Sequence, residues 1–200
     1  MKHGIFLARM QPLHKAHLYM VKEALKENDH VSVILGSANK KDMLRNPFTI
    51  ELRTRMLKDA LEVDLDYLEE DIWNRVSVYE IPDWTQEDDI YNAKEWGAYL
   101  YYNIVSRIKS KTFSIYYSDD PQIMLNWFDE PFQERINFRF FERNNLFEGL
   151  SSTKIRDAIL NKDLETLEKY TPRSVSKRIV QLHKIWKEVI DNPKSDFSMK

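Results

Sequence analysis

Apolar positions along the first two thirds of this chain fall into short runs separated by helical stripes. Ile5 to Ala8 form a short apolar run bounded by a turn, the pattern of a buried strand. From His17 to Lys26 the apolar residues Leu18, Met20, Val21, Ala24 and Leu25 recur at helical spacing. Val31 to Leu35 read as a second buried strand that stops at Gly36-Ser37. A polar, basic loop over residues 37–48 closes at Pro47. Thr49 then caps a helix whose stripe is Ile50, Leu52, Met56, Leu57 and Leu61. Val76 to Ile81 alternate as a third strand, and an acidic loop from Asp83 to Asp89 leads to an aromatic helix over about 93–108. Phe113 to Tyr117 and Ile136 to Phe141 are the fourth and fifth strands, with a helix through Trp127 between them. After Ser151-Ser152-Thr153 the pattern is helical, and Val175, Ile179, Leu182, Ile185, Trp186 and Val189 predict one helix of about four turns. Strands alternating with helices predict an α/β fold, a parallel sheet of five or six strands with helices on both faces. The expected division is an α/β part over residues 1–160 and a helical extension of the same domain over 161–200.

Composition narrows the classes. The chain has 200 residues, and 42% of them are hydrophobic, enough for a sizeable core. Charged residues make up 31%, yet the net charge is −2, so no global basic field points to nucleic acid or an anionic membrane. The absence of cysteine removes disulfides, thiolate metal sites and catalytic thiols. No stretch approaches the roughly 18 apolar residues of a membrane span, and residues 1–4 lack the apolar stretch of a signal peptide. The expected location is the cytoplasm. With only four glycines, a dinucleotide-type glycine loop is missing.

The chemistry concentrates at Arg9 through His17. A strand ends in arginine, a turn with proline follows, and His14 and His17 open a helix three residues apart. That layout places two imidazoles and a guanidinium at the carboxyl end of a buried strand, where open α/β sheets bind ligands, and helix amino termini favour phosphate. A lone histidine is more often structural. The pair also suits a metal, but such a site needs about three or four ligands, and His3, His30 and His183 sit in unrelated contexts. Phosphate binding is the better reading, with no protein metal site expected. Ser151-Ser152-Thr153-Lys154-Ile155-Arg156 reads as an ordinary capped helix start or as a second phosphate cradle. Leu44 to Thr49 and Tyr91 to Trp96 read, taken alone, as a surface loop and an aromatic packing helix. The segment Trp96 to Tyr102 fits either core or interface.

Together these residues resemble the HxGH nucleotidyltransferase superfamily. They are most similar to nicotinamide mononucleotide adenylyltransferases of the archaeal type and of the bacterial and phage type fused to a Nudix domain. Ala8 to His17 match the family's opening pattern, Gly36-Ser37-Ala38 its G-S-A, Asn46 to Arg53 its N-P-F-T-x-x-x-R, Tyr91 to Trp96 its tyrosine–asparagine–tryptophan element, and Leu150 to Arg156 its serine-rich helix start. The matches come in family order over residues 4–156; residues 161–200 carry no comparable motif, and no Nudix pattern follows. The chain departs where Ala8 and Ala16 replace glycines that let backbone approach the nucleotide. Both replacements stay small.

The resemblance implies a Rossmann-like nucleotidyltransferase fold and transfer of AMP from ATP to nicotinamide mononucleotide, giving NAD and pyrophosphate. It implies that His14, His17, Arg9 and Arg45 carry catalysis. Ala8, Arg9, His14, His17, Ser151, Ser152, Thr153 and Arg156 would hold ATP. Asp88, Asn92, Trp96 and Ser37 would hold the mononucleotide, with Trp96 stacking on the cationic nicotinamide ring and Asn92 reading the carboxamide. Asp83 and Asp89 compete with Asp88 for its place. Mg²⁺ would arrive on the ATP phosphates. Relatives of this kind form assemblies, which leaves a homo-oligomer open. Pantetheine-phosphate adenylyltransferases and cytidylyltransferases share the histidine motif and are the alternative enzymes; a non-catalytic nucleotide-binding protein is the alternative class.

Overall fold

The computed structural model describes residues 1–64, 71–83, 92–142, 147 and 150–194. In chain order the elements are β1 (His3–Ala8), α1 (Lys15–Glu27), β2 (His30–Leu35), α2 (Ile50–Asp64), β3 (Val76–Glu80), α3 (Ala93–Ile108), β4 (Phe113–Tyr117), α4 (Pro121–Trp127), α5 (Glu130–Gln133), β5 (Ile136–Phe140), α6 (Ser152–Leu160), α7 (Leu164–Tyr170), α8 (Arg173–Ser176) and α9 (Ile179–Asp191). A 3₁₀ turn at Ile72–Asn74 precedes β3. The described strands form one parallel five-stranded sheet in the order β3-β2-β1-β4-β5. The chain winds one way through β1, β2 and β3, then returns across β1 to lay down β4 and β5. The winding therefore reverses between β1 and β4.

Period-two alternation divides the core between the two faces. Phe6, Val33, Leu35 and Tyr116 point to the side covered by α1, α2 and the helices after residue 151. Ile5, Ile34, Ile115 and Tyr117 point to the side covered by α3 and α4. The segment from Trp96 to Tyr102 is mostly core: Gly97, Leu100 and Tyr101 are buried, while Tyr102 remains 63% exposed. Gly97 lets α3 and α4 touch, because a Cβ there would lie 1.7 Å from the carbonyl oxygen of Trp127.

The expected strands and the helices of residues 1–127 are present to within a few residues. The C-terminal stripe is a correction. Val175 belongs to α8, and Ile179 begins the separate helix α9. Arg178 makes the break, with φ −104° and ψ 12°. Its side chain donates back to Ser174 O and across to Asp59 of α2 at 2.7 Å, so a continuous helix gives way to a tertiary ion pair. Asp59 also lies 3.3 Å from Lys177 Nζ. Earlier, left-handed Lys162 (φ 52°) ends α6 one residue past its cap. No helix among the described residues is long and apolar enough to cross a membrane.

Replacing Gly97 with alanine forces main chain apart at the α3–α4 crossing. The expected loss is about 3 kcal/mol, the upper end of overpacking costs, read as a lower urea midpoint at an unchanged slope.

Candidate active site

The carboxyl ends of β1, β2 and β4 surround a cavity of about 780 Å³ at the point where the winding reverses. This is where an open parallel sheet leaves a crevice, because neighbouring connections run to opposite faces. Its wall contains Ala8 and Arg9 after β1, Ser37 and Lys40 after β2, Asp83 after β3, and Ser118 and Asp119 after β4.

The turn between β1 and α1 is built from polar groups turned inward. Met10 is left-handed at φ 52°, and the Gln11–Pro12 peptide is cis. The Gln11 side chain is 2% exposed; its Nε2–H donates to Phe48 O at 3.0 Å and its Oε1 accepts from Phe48 N–H at 2.9 Å. It thus replaces the strand partner that the segment at 46–49 lacks. His14 is the N-cap of α1 and His17 its third residue. His17 N–H donates to His14 O at 2.9 Å, and His14 N–H donates to His17 Nδ1 at 3.2 Å. The rings stack with centroids 3.7 Å apart and planes 17° apart. An Nδ1 that accepts carries no proton, so the neutral His17 ring is a donor through Nε2.

From the far end of the chain, the start of α6 closes on this turn. Ser151 caps α6 by accepting from Lys154 N–H at 3.2 Å. Ser152 Oγ donates to Pro12 O at 3.1 Å, and Arg156 donates to Gln11 O at 2.8 Å and to Thr153 Oγ1 at 3.1 Å. The Arg156 guanidinium lies 5.4 Å from the Trp186 ring of α9. Burial, then the nearby Arg9 charge, pushes the Arg156 guanidinium below its ordinary value.

On the other side, Arg53 of α2 is fully buried. It donates to Arg9 O at 2.7 Å, Gly36 O at 2.9 Å and Ser37 O at 3.0 Å. Burial pushes its guanidinium down to about 10, against the opposing pull of Glu80 and Asp83. Ser37 is left-handed (φ 51°) and donates through Oγ to Asp83 Oδ1 at 3.0 Å; Lys40 Nζ, largely buried, sits 3.7 Å from Asp83 Oδ2. Trp96 also lines the cavity, edge-on to Trp127 at 6.1 Å.

A family model described as cytidylyltransferase-like matches residues 5–158. The chain belongs to that family. It is 33% identical over 187 residues to a nicotinamide-nucleotide adenylyltransferase of Pyrobaculum arsenaticum, covering 91% of this chain and 89% of that one. It is 29% identical over 179 residues to the protein of the same name from Archaeoglobus fulgidus, covering 90% and 91%. Among solved structures, a bifunctional NMN adenylyltransferase/ADP ribose pyrophosphatase of Francisella tularensis, complexed with AMP and a Mn ion, superposes with a TM-score of 0.68 at 17% identity. That match covers 95% of this chain but 52% of the other, so the chain spans about half of the bifunctional protein. A Vibrio parahaemolyticus structure described as a putative nicotinate-nucleotide adenylyltransferase matches with a TM-score of 0.62 at 17% identity over 90% of this chain and 99% of that one.

Within this cytidylyltransferase-like framework, Ala8, Arg9, His14, His17, Ser37, Arg45, Trp96, Ser151, Ser152, Thr153 and Arg156 all line the one cavity. Ala16 lines it too. Asn92 is not in the wall: it caps α3, its Oδ1 accepting from Lys94 and Glu95 N–H at 3.0 and 3.3 Å. Asp88, its rival Asp89 and Tyr91 lie outside the described residues. Sequence reasoning passed over the buried roles of Gln11 and Arg53. A signal for Arg53 exists, since it sits three and four residues before Met56 and Leu57 on the apolar stripe of α2, where a charge must be buried and partnered.

Replacing Gln11 with methionine keeps the volume but orphans the buried N–H and C=O of Phe48. The expected destabilisation is about 3 kcal/mol, measured by urea denaturation.

Proposed function

We propose that this cavity binds ATP and nicotinamide mononucleotide side by side and that the protein is a nicotinamide-nucleotide adenylyltransferase. The observation that carries the reading is the meeting, in one switch-point cavity, of the phosphate-donor set Arg9, His14, His17, Arg45 and Arg156 with the half-buried Trp96 ring. The names of the archaeal relatives support it across nearly their full length.

The 5′-phosphate of the mononucleotide attacks the α-phosphorus of ATP; one P–O bond forms, the bond to the β-phosphate oxygen breaks, and NAD and pyrophosphate leave. The nucleophile is already an anion, so the site needs no general base. Its work is alignment and charge stabilisation. Arg9 and Arg45 are exposed on the cavity wall and act as phosphate donors. His17 donates through Nε2 to the charge that develops on the α-phosphate, and His14, fixed beneath it by stacking, holds the ring's direction. Ser152, Thr153 and Arg156 hold the triphosphate at the start of α6. Trp96 stacks on the nicotinamide ring as a cation–π partner. Ser37 and Asp88 are assigned to the mononucleotide by the family pattern; Asn92, whose oxygen caps α3 outside the cavity wall, serves the site by fixing the start of the helix that carries Trp96.

A divalent cation fits as a passenger of the phosphates. The charged side chains of the wall are Arg9, Lys40, Arg45 and Arg156 against Asp83 and Asp119, and no group of three or more His, Asp or Glu converges among the described residues. When bound, Mg²⁺ supplies further neutralisation of phosphate charge. This reading treats residues 1–160 as the nucleotidyltransferase part and 161–200 as its helical extension, supported by the Asp59–Arg178 pair and by Lys15 Nζ bonded to the carbonyls of Glu168 and Lys169. It places the reaction in the cytoplasm.

The test is pyrophosphate release with ATP and Mg²⁺, comparing nicotinamide mononucleotide, nicotinic acid mononucleotide and phosphopantetheine. Release is expected with the nicotinamide substrate. His17→Ala lowers kcat by about 100-fold or more while the melting curve stays put, and Trp96→Ala acts mainly by raising KM for the mononucleotide. ATP binding without release from any of the three overturns the reading in favour of a nucleotide-binding protein.

A further inference from the structure

Parallel strands that end together leave main-chain carbonyl oxygens at their carboxyl edge. Those oxygens carry partial negative charge, the same sign as a phosphate, so an anion site at this edge starts from an unfavourable potential. The last ladder bonds near the cavity are Gly36 N–H to Ala8 O at 3.2 Å and Ile81 N–H to Leu35 O at 3.0 Å. The next carbonyls along, those of Arg9, Gly36 and Ser37, all accept from the Arg53 guanidinium.

We propose that Arg53 is a positioning residue for the nucleotide phosphates: it takes up the strand-end carbonyls of Arg9, Gly36 and Ser37 and stands as a fixed positive charge behind the anion site. The inference rests on the adenylyltransferase reading for the identity of the anion, a nucleoside triphosphate.

Arg53 has no exposed surface, and among the described residues no carboxylate pairs with it directly. A buried charge without a partner is costly, and a neutral amide could satisfy carbonyls alone. A retained charge therefore points to electrostatics. Two non-glycine residues held left-handed, Met10 and Ser37, lie beside or at the gripped carbonyls. Strained backbone of this kind persists where its surroundings over-determine it, which is what three guanidinium bonds provide. The bond to Arg9 O also sets the main chain from which the Arg9 side chain enters the cavity. Burial lowers the Arg53 guanidinium to about 10, so it stays charged at neutral pH. The charged groups facing it are Arg9 after β1, Glu80 of β3, Asp83 beyond it, and Glu51 on its own helix.

The experiment compares Arg53→Met and Arg53→Lys with the wild-type chain. ATP binding is measured by titration calorimetry without mononucleotide, and kcat and KM are measured from about pH 6 to pH 9. Folding is checked by circular dichroism and thermal melting. The Met variant is expected to weaken ATP binding on the order of 100-fold. A lysine buried at this position titrates well below its ordinary value. The Lys variant is therefore expected to bind ATP at the acid end and lose it as pH rises. Taking the ratio to wild type at each pH removes pH effects common to both chains. A folded Met variant with ATP affinity within about threefold of wild type overturns the proposal. So does a Lys variant whose affinity ratio is flat with pH, since a charge that acts on the phosphates must register its own loss. If the Met variant does not fold, the Lys profile decides. Wild-type chain that binds ATP but transfers no adenylyl group counts against the function assigned above and leaves the Arg53 comparison standing.

Discussion

The reversal of winding between β1 and β4 is the constraint on which the rest of this molecule depends. A parallel sheet must send each connection back over one face, and all its strands end on the same edge. Where the connections change face, the two sets of loops part and leave room. In this chain that room is bounded by the ends of β1, β2 and β4, and its wall is drawn from positions as far apart as Ala8 and Arg156. Neither half of the chain closes the cavity alone. The start of α6 completes it through Ser152 on Pro12 O and Arg156 on Gln11 O.

Polar residues at this edge divide into two groups by what they touch. Gln11, Ser151, Asn92 and Arg53 direct hydrogen bonds to main chain, and they hold the turns in place. Arg9, Arg45 and His17 stand on that framework and present charge or a donor to the cavity. The separation suits a reaction whose nucleophile is already ionised. Rate then depends on donors that are aimed before the substrate arrives, and a framework of buried backbone bonds supplies that stiffness. Ala8 and Ala16, both small, line the same wall.

The C-terminal helices show where local pattern gives out. The apolar spacing from Val175 to Val189 fits a single helix, and each of those residues that is buried faces the expected side. Arg178 breaks the run because its side chain gains an ion pair with Asp59, 119 residues earlier, and a helix continuing through it would carry that side chain elsewhere. Periodicity records which face is apolar; it does not record a competing long-range partner. The 3₁₀ turn at Ile72–Asn74 and the single-turn helix α5 escaped notice for a related reason, being too short for a period to register.

By itself the sequence determined the alternation of strand and helix, the parallel sheet, and the ordered motifs that single out Arg9, His14, His17, Arg45, Trp96 and Arg156. Those properties live in spacing and residue type, which a chain carries openly. Only the tertiary structure decided that these residues share one cavity, that the Asn92 oxygen is taken up in capping α3, and that Gln11 and Arg53 face inward. The physical reason is that a hydrogen bond or a buried charge is defined by its partner. The partners here, Phe48 for Gln11 and the ends of β1 and β2 for Arg53, come from distant segments that meet only when the sheet forms.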